Sequence, residues 1–180
     1  MKKQSFVAIK LREGDTLLNV EIDDSKKETI FFVTKQGNGL NATKTDRPLT
    51  GRMTNGVKGI SLNEDDELIC AYQVSPKDDI VMVTKKAYIR KINSKFLEPL
   101  ARARKGSKVI KITEDNGEII YADIVDHKKE VFIMSEKGNC GIENTVFPLE
   151  NALTKGKVIK ELKGVKIKQV LRYEWETKNK

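Results

Sequence analysis

The chain is built around short apolar runs that recur at a fixed interval. The runs IFFVT, IVMVT and EVFIM begin at residues 30, 80 and 130, so they lie 50 positions apart. Each run is rich in β-branched and aromatic residues and is bounded by turn sequences such as GNG at 37–39 and DNG at 115–117. Runs of this length and composition predict β-strands rather than helices.

Two further features keep almost the same spacing. The segment ELICAYQV at 67–74 returns as EIIYADIV at 118–125, an offset of 51, and TLLNVEI at 16–22 is a weaker echo of both. Gly56, Gly106 and Gly156 are spaced by 50 residues. A fixed period in this range is the signature of a repeat architecture. We expect the three glycines to adopt a positive φ or to lie where a Cβ would clash.

A unit of this size with about four short strands matches one blade of a propeller. The sequence therefore predicts an all-β, propeller-like domain over residues 1–180, with three to four blades. The expected units are 6–29 (partial), 30–79, 80–129 and 130–175. We expect the unbroken apolar runs to be the innermost strands, buried on both faces, and alternating strands such as YIRKI at 88–92 to lie further out.

Composition narrows the class of protein. With 38% apolar and 33% charged residues and no apolar run near the ~18 residues that span a bilayer, the chain is expected to be a cytoplasmic protein without membrane contact. Cys70 and Cys140 have no metal-ligand spacing and are expected to be buried and unbridged. His127 is the single histidine. We therefore predict no catalytic residue, metal, cofactor or small-molecule substrate.

The positive charge is concentrated in one stretch. Residues 80–111 carry ten Lys and Arg against one Glu, whereas the whole chain sums 34 basic and 26 acidic residues to +8. Acidic residues collect in turns at 13–15, 63–67 and 114–118. Because equivalent positions of successive blades repeat around a propeller, we expect the basic positions to form a curved band. Charge runs are also common on faces that only contact solvent.

A basic band of this kind favours a polyanion, and duplex nucleic acid fits best because spaced cations release its condensed counterions. No recognition helix, zinc finger or stacked aromatic platform is visible, so the expected contacts go to phosphates and not to bases. The candidate DNA-binding residues are Lys35, Arg47, Arg52, Lys58, Lys85, Lys86, Arg90, Lys91, Lys95, Arg102, Arg104, Lys105 and Lys108.

Several motifs resemble the C-terminal domain of the A subunit of bacterial type II topoisomerases, gyrase and topoisomerase IV. The segment RPLTGRMTNGVKGISLNEDDELI at 47–69 is similar to the family's Gly-Arg, Gly-Val-Lys-Gly-Ile-x-Leu and acidic-turn pattern. VTKQGNG at 33–39 and VTKKAYIRK at 83–91 are similar to its Val-Thr-x-x-Gly hairpins. The likeness runs from about residue 6 to residue 175.

The resemblance implies a β-pinwheel, in which neighbouring blades exchange strands. It also implies a non-catalytic module that binds and bends duplex DNA and presents a segment to the cleavage core of the same subunit. The ATPase B subunit would be a further partner in the holoenzyme. The nucleophilic tyrosine of this family lies in another domain, so Tyr72, Tyr88, Tyr121 and Tyr173 are interpreted as packing or surface residues.

One motif separates the two kinds of parent enzyme. Gyrase domains carry a box of the form Gln-Arg-Arg-Gly-Gly-Lys-Gly, whereas the closest segment here, ARARKG at 101–106, lacks the paired glycines. This difference favours a topoisomerase IV-like module, with a gyrase wrapping domain as the alternative. A protein-interaction propeller is a rival from another class, and an enzyme is a distant third.

Overall fold

The computed structural model describes residues 7–45, 47–125, 129–143 and 147–174. The unit ends predicted at residues 6 and 175 lie outside these ranges, as does His127. The described chain is all-β apart from two short 3₁₀ turns, Ser94–Phe96 and Lys160–Leu162. The fold class predicted from the apolar pattern is therefore confirmed.

Eleven strands form three antiparallel sheets among the described residues. The strands are β1 (Thr29–Thr34), β2 (Asn38–Thr43), β3 (Leu68–Val74), β4 (Asp79–Thr84), β5 (Tyr88–Asn93), β6 (Ser107–Lys108), β7 (Ile119–Ile124), β8 (Lys129–Ser135), β9 (Gly138–Glu143), β10 (Lys157–Val158) and β11 (Ile167–Glu174). The sheet orders are β3-β1-β2-β6, β10-β5-β4-β7 and β11-β8-β9.

Each sheet is centred on a hairpin that begins with one of the repeated apolar runs. The hairpins are β1–β2, β4–β5 and β8–β9, and each first strand also pairs with an inner strand, β3, β7 or β11. β4 is buried along nearly its whole length, as expected for a strand covered on both faces. Val81, Met82 and Val83 have no exposed surface.

The predicted strand order was wrong in one respect. The innermost strands are β3, β7 and β11, since β3 contacts β7 and β7 contacts β11. The apolar runs, in β1, β4 and β8, lie next to these innermost strands. The strand containing YIRKI, β5, is also buried at its four central residues, because it lies between β4 and β10. As predicted from its alternation of apolar and basic residues, β5 lies further out than β4, but it is not exposed to solvent.

The first two sheets each receive a short strand from the following unit. We call residues 49–58, 100–109 and 149–158 the crossing segments, because the second and third cross from one sheet to the next. β6 pairs with β2 (Asn38 opposite Lys108), and β10 pairs with β5 (Ile89 opposite Lys157). This exchange of strands is the pinwheel arrangement that the resemblance implied.

The recurring glycines permit these crossings. Gly56, Gly106 and Gly156 have φ values of 71°, 74° and 79°, which confirms the predicted conformation. A Cβ at Gly106 would overlap the carbonyl oxygen of Gly39, and one at Gly156 would lie 2.7 Å from the carbonyl oxygen of Ile89. The glycines at 106 and 156 therefore allow the crossing backbone to lie directly against the receiving strand.

Candidate nucleic-acid interface

The crossing segment 100–109 carries four cations, Arg102, Arg104, Lys105 and Lys108. Pro99 precedes this segment, and Ala103 and Gly106 both have positive φ, so the chain cannot continue as a helix or a straight strand. Met53 and Gly56 repeat the same pair of kinks in the preceding crossing segment. The kinked backbone keeps Arg104 and Lys105 exposed while Ala103 packs against the neighbouring unit.

Backbone hydrogen bonds fix this segment against residues 59–61 of the preceding unit. Ala103 N donates to Gly59 O at 2.6 Å, and Ser61 N donates to Arg104 O at 2.9 Å. The Ser61 hydroxyl adds a 2.8 Å bond to Ala103 O. Three hydrogen bonds therefore hold the basic segment against this part of the preceding unit.

Cations from two successive units meet at this point. Arg102 Nη1 donates to Lys58 O at 3.1 Å, which joins the second unit's arginine to the first unit's lysine. On the other side of Gly106, Lys108 Nζ donates to Gln36 O at 2.8 Å. We call Lys58, Arg102, Arg104, Lys105 and Lys108 the basic surface.

Acidic side chains do not neutralise most of the basic surface. Among the residues that the structure describes, no carboxylate forms an ion pair with Lys58, Arg104, Lys105 or Lys108. All four side chains belong to exposed residues. Their charge is available to an anionic partner, since nearby carboxylates do not compensate it.

Three other candidate residues are paired with acids. Lys35 lies 3.3 Å from Glu67, Lys85 lies 3.1 Å from Glu118, and Arg47 lies 2.9 Å from Asp23. The hydrogen bond to Glu67, together with the nearby charge of Glu118, raises the pKa of Lys35. Each ion pair reduces the positive electrostatic potential around its cation. Lys35, Lys85 and Arg47 are therefore weaker candidates for phosphate contact.

Arg90 lies inside the protein, so the prediction that Arg90 contacts DNA was wrong. Only 1% of the residue is exposed, and its guanidinium pairs with Glu150, donates to the carbonyl oxygens of Val109 and Ala152, and lies 4.8 Å from the centre of the Phe96 ring. Burial lowers the pKa of Arg90, and the attraction of Glu150 opposes this shift.

The remaining candidates differ in their exposure. Lys91 is buried and lines a cavity that also contains Asp79 and Asp123, so it does not reach the outer surface. Lys86 donates to Glu114 O, and Lys95 is exposed beside the first 3₁₀ turn. Arg52 is exposed and occupies, in its crossing segment, the position that Arg102 has in the next.

The third crossing segment shows why the band is not continuous. Ala152 and Thr154 stand where the second segment has Arg102 and Arg104. Lys155, the counterpart of Lys105, pairs with Asp115 at 2.8 Å and lies 5.6 Å from the centre of the Tyr88 ring. Among the described residues, the third crossing segment therefore presents one exposed lysine without an ion pair, Lys157, whereas the second presents Arg104, Lys105 and Lys108.

The sequence-based reasoning missed the acids that pair with these cations, Glu150 above all. Glu150 lies 60 residues from Arg90 and follows Leu149, whose bridge to Lys91 brings the two segments together. Leu100 forms the same parallel bridge with Ala42. The recurring Pro-Leu pairs at 48–49, 99–100 and 148–149 were the available signal for this contact.

Comparison with known proteins agrees with this architecture. The family model for the DNA gyrase C-terminal domain, beta-propeller, matches residues 28–75 and 78–126. The A subunit of DNA gyrase from Mycolicibacterium smegmatis is 30% identical over 135 residues, covering 74% of this chain and 16% of that protein. The A subunit of DNA topoisomerase 4 from Staphylococcus aureus is 28% identical over 135 residues, covering 74% of this chain and 17% of that protein.

Solved structures show the same fold. The C-terminal domain of DNA topoisomerase IV superposes with a TM-score of 0.80 at 21% identity, covering 93% of this chain and 53% of that one. The DNA gyrase A C-terminal domain gives a TM-score of 0.76 at 21% identity, covering 92% of this chain and 57% of that one. The chain thus spans about half of these solved domains and about a sixth of the curated relatives. With its matching family model, its exchange of strands between neighbouring sheets and its recurring glycines, the chain belongs to the family of C-terminal β-pinwheel domains of the gyrase and topoisomerase IV A subunits.

Proposed function

We propose that this chain is a non-catalytic module that binds and bends duplex DNA through phosphate contacts. The observation that carries the proposal is the basic surface, where Lys58, Arg104 and Lys105 meet at the boundary of two units without carboxylate partners among the described residues. Arginine forks and lysine point charges both suit phosphate oxygens. Such contacts favour sequence-independent binding, since they do not read base edges.

Bending sets the number of contacts that the surface must provide. Smooth bending of a site of 20–30 base pairs by 40–90° costs on the order of 1–6 kcal/mol. Several phosphate contacts must offset this cost, and the five side chains of the basic surface are too few for a long path. The exposed Arg52, Lys86 and Lys95 are therefore proposed to extend the contact to either side.

Within the family, we infer a topoisomerase IV-like role as part of a type IIA enzyme. The crossing segment keeps Arg102, Lys105 and Gly106 of the gyrase-type box but not its paired glycines. In the holoenzyme, the module would present DNA to the cleavage core of its subunit, alongside the ATPase B subunit, in the cytoplasm at the nucleoid. A gyrase-like wrapping role is the alternative. None of the described helices is long and apolar enough to cross a membrane.

The test is binding of the full chain to labelled linear duplexes of several unrelated sequences over a range of salt concentrations. Six to ten phosphate contacts predict a loss of affinity of about 10³–10⁵ between 50 and 200 mM salt, at similar strength for every sequence. Ligase-mediated circularisation of short duplexes measures the bend. Absence of binding at low salt would favour the alternative of a protein-interaction scaffold, and a strong sequence preference would indicate base readout.

A further inference from the structure

One half of a blade in this structure has no hairpin over it. In each of the three sheets, the isoleucine that follows a crossing segment packs against the hairpin of that sheet. The three contacts are Ile60 with Phe32 and Leu40, Ile110 with Met82 and Ile92, and Ile159 with Val131 and Ile133. An inner strand then pairs with the first strand of that hairpin. These elements form one recurring set.

Residues 8–10 and 16–22, together with the crossing segment 49–58, form a fourth set of the same kind. Lys10 N donates to Thr54 O at 3.0 Å, as Ser61 N donates to Arg104 O and Lys111 N to Thr154 O. Residues 19–24 lie beside β3, held by bonds such as Gln73 Nε2 to Ile22 O at 2.8 Å. We call this set the open half-blade, because no hairpin of the described chain covers it.

The open half-blade exposes side chains that its counterparts bury. Ile9 is 43% exposed, whereas Ile60, Ile110 and Ile159 are 7%, 0% and 3% exposed. Leu49 is 94% exposed, about twice as much as Leu100 (43%) and Leu149 (47%), which bridge to the hairpin of the preceding sheet. The large exposed apolar residues of this set include Ile9, Leu17, Val20, Leu49, Met53 and Val57.

Gly56 gives independent backbone evidence. It has the same positive φ as Gly106 and Gly156, yet a Cβ at Gly56 would have no atom within 4 Å. At the other two glycines the corresponding space is filled by the second strand of a hairpin, through Gly39 and Ile89. The crossing segment 49–58 is therefore already shaped to receive a strand that the described chain does not provide.

The 180 residues themselves cannot supply this hairpin. The β1–β2 hairpin spans Thr29–Thr43, whereas six residues precede Val7 and six follow Glu174. The hairpins of a second copy are also engaged, because β1, β4 and β8 already pair with their own inner strands. The occupant must be a hairpin whose two outer edges are both free.

We propose that the open half-blade binds a β-hairpin of the β4–β5 type, supplied by a repeat unit of the same fold that lies outside these 180 residues. The hairpin's first strand would pair beside residues 16–22, and its second strand would pair with residues 57–58 and cover Gly56. Its apolar side chains would bury Ile9 and Leu49, so that the fourth set closes as the other three do. Binding combines strand addition with burial of an apolar face.

The direct test uses a cyclised peptide of residues 79–93, labelled and titrated into the full chain, with a cyclised peptide of scrambled sequence as control. Cyclisation reduces the ordering cost that a free hairpin would bring to binding. We expect saturable one-to-one binding of the hairpin peptide and none of the scrambled peptide. Circular dichroism verifies that the free peptide is folded, and failure of the folded peptide to bind would overturn the proposal.

Two matched pairs of variants locate the site. Ile9→Asp should weaken the peptide by about tenfold or more, as expected when one buried aliphatic contact is lost, whereas Leu171→Asp, at a residue of 44% exposure on β11, should not. Gly56→Asn should abolish binding, because asparagine keeps a positive φ but fills the receiving space. Gly164→Asn, at a glycine with φ 76° and open surroundings, should have no effect.

The oligomeric state of the chain alone gives a second readout. Sedimentation should show a monomer at concentrations where the peptide binds. A dimer that Ile9→Asp dissociates would overturn the proposal, since a second copy would then cover the face. A fusion with the 79–93 hairpin joined ahead of residue 1 by a flexible linker should melt at higher temperature than the chain alone, and Gly56→Asn should remove that gain.

Discussion

Thr34 donates a 2.7 Å hydrogen bond from its hydroxyl to a carboxylate oxygen of Asp66, and both residues are buried. Asp66 also accepts bonds from Gln36 N at 2.9 Å and Asn38 Nδ2 at 3.0 Å, so one side chain closes the turn of the β1–β2 hairpin. Burial would raise the pKa of Asp66, but these hydrogen bonds outweigh burial and hold the pKa below its usual value.

Replacing Asp66 by Ala should cost about 2–4 kcal/mol of unfolding free energy at neutral pH, because a hydrogen-bonded charged group is lost and buried donors are orphaned. The pKa of Asp66 is lower in the folded than in the unfolded state. Asp66 therefore contributes fully to the unfolding free energy above its unfolded-state pKa, and this contribution declines as the pH falls through its folded-state pKa. Urea unfolding at pH 7 and pH 3 checks this. The difference between wild type and Asp66→Ala should shrink at the lower pH, and an unchanged difference would contradict the assignment.

Gly106→Ala should destabilise the chain far more than Gly56→Ala. Both substitutions place a side chain at positive φ, which costs about 1–2 kcal/mol. At Gly106 the new Cβ also overlaps Gly39 O, which adds about 1–3 kcal/mol of overpacking, whereas the surroundings of Gly56 are open. Thermal unfolding of the two variants measures the difference. Equal losses of stability would contradict the structure, in which, of these two glycines, only Gly106 lies against a neighbouring strand.

Glu150→Ala should cost about 3–5 kcal/mol, because it leaves the buried guanidinium of Arg90 without its carboxylate. Replacing both partners, as Arg90→Met with Glu150→Leu, should recover part of this loss, since no unpaired charge remains. Chemical denaturation of the single and double variants forms the cycle. A double variant that is less stable than Glu150→Ala would indicate that the arginine's bonds to Val109 O and Ala152 O matter more than the ion pair.

Reversing Arg102, Arg104 and Lys105 to Glu should weaken duplex binding equally for all sequences and reduce the slope of affinity against salt by about 3, one unit for each phosphate contact. The matched control reverses Lys26, Lys137 and Lys163, three exposed lysines outside the basic surface, so the net charge changes by the same amount. Fluorescence anisotropy in a salt series distinguishes the two. Equal losses would mean that overall charge, and not this surface, governs binding.

The sequence determined the fold class because the same apolar run recurs three times, and period-based reasoning depends only on local composition. It identified the positive φ of Gly106 and Gly156 for the same reason. It was wrong about the innermost position of the apolar runs and about the exposure of Arg90, because both depend on which neighbouring strands and sheets cover a residue. Glu150 shows most clearly what the sequence does not reveal. Its contact with Arg90 depends on the bridge between Lys91 and Leu149, two residues that are 58 positions apart in the sequence.

The crossing segments also bear on how the number of units in such a protein can change. Gly106 and Gly156 join consecutive units through the same backbone geometry. After a duplication or loss of one whole unit, the units on either side can therefore still pair their strands in the same way. A deletion of part of a unit has the opposite effect, since it removes the closing strand from a neighbour that is otherwise intact. Growth and shrinkage of the array are therefore expected to occur in whole periods of about 50 residues.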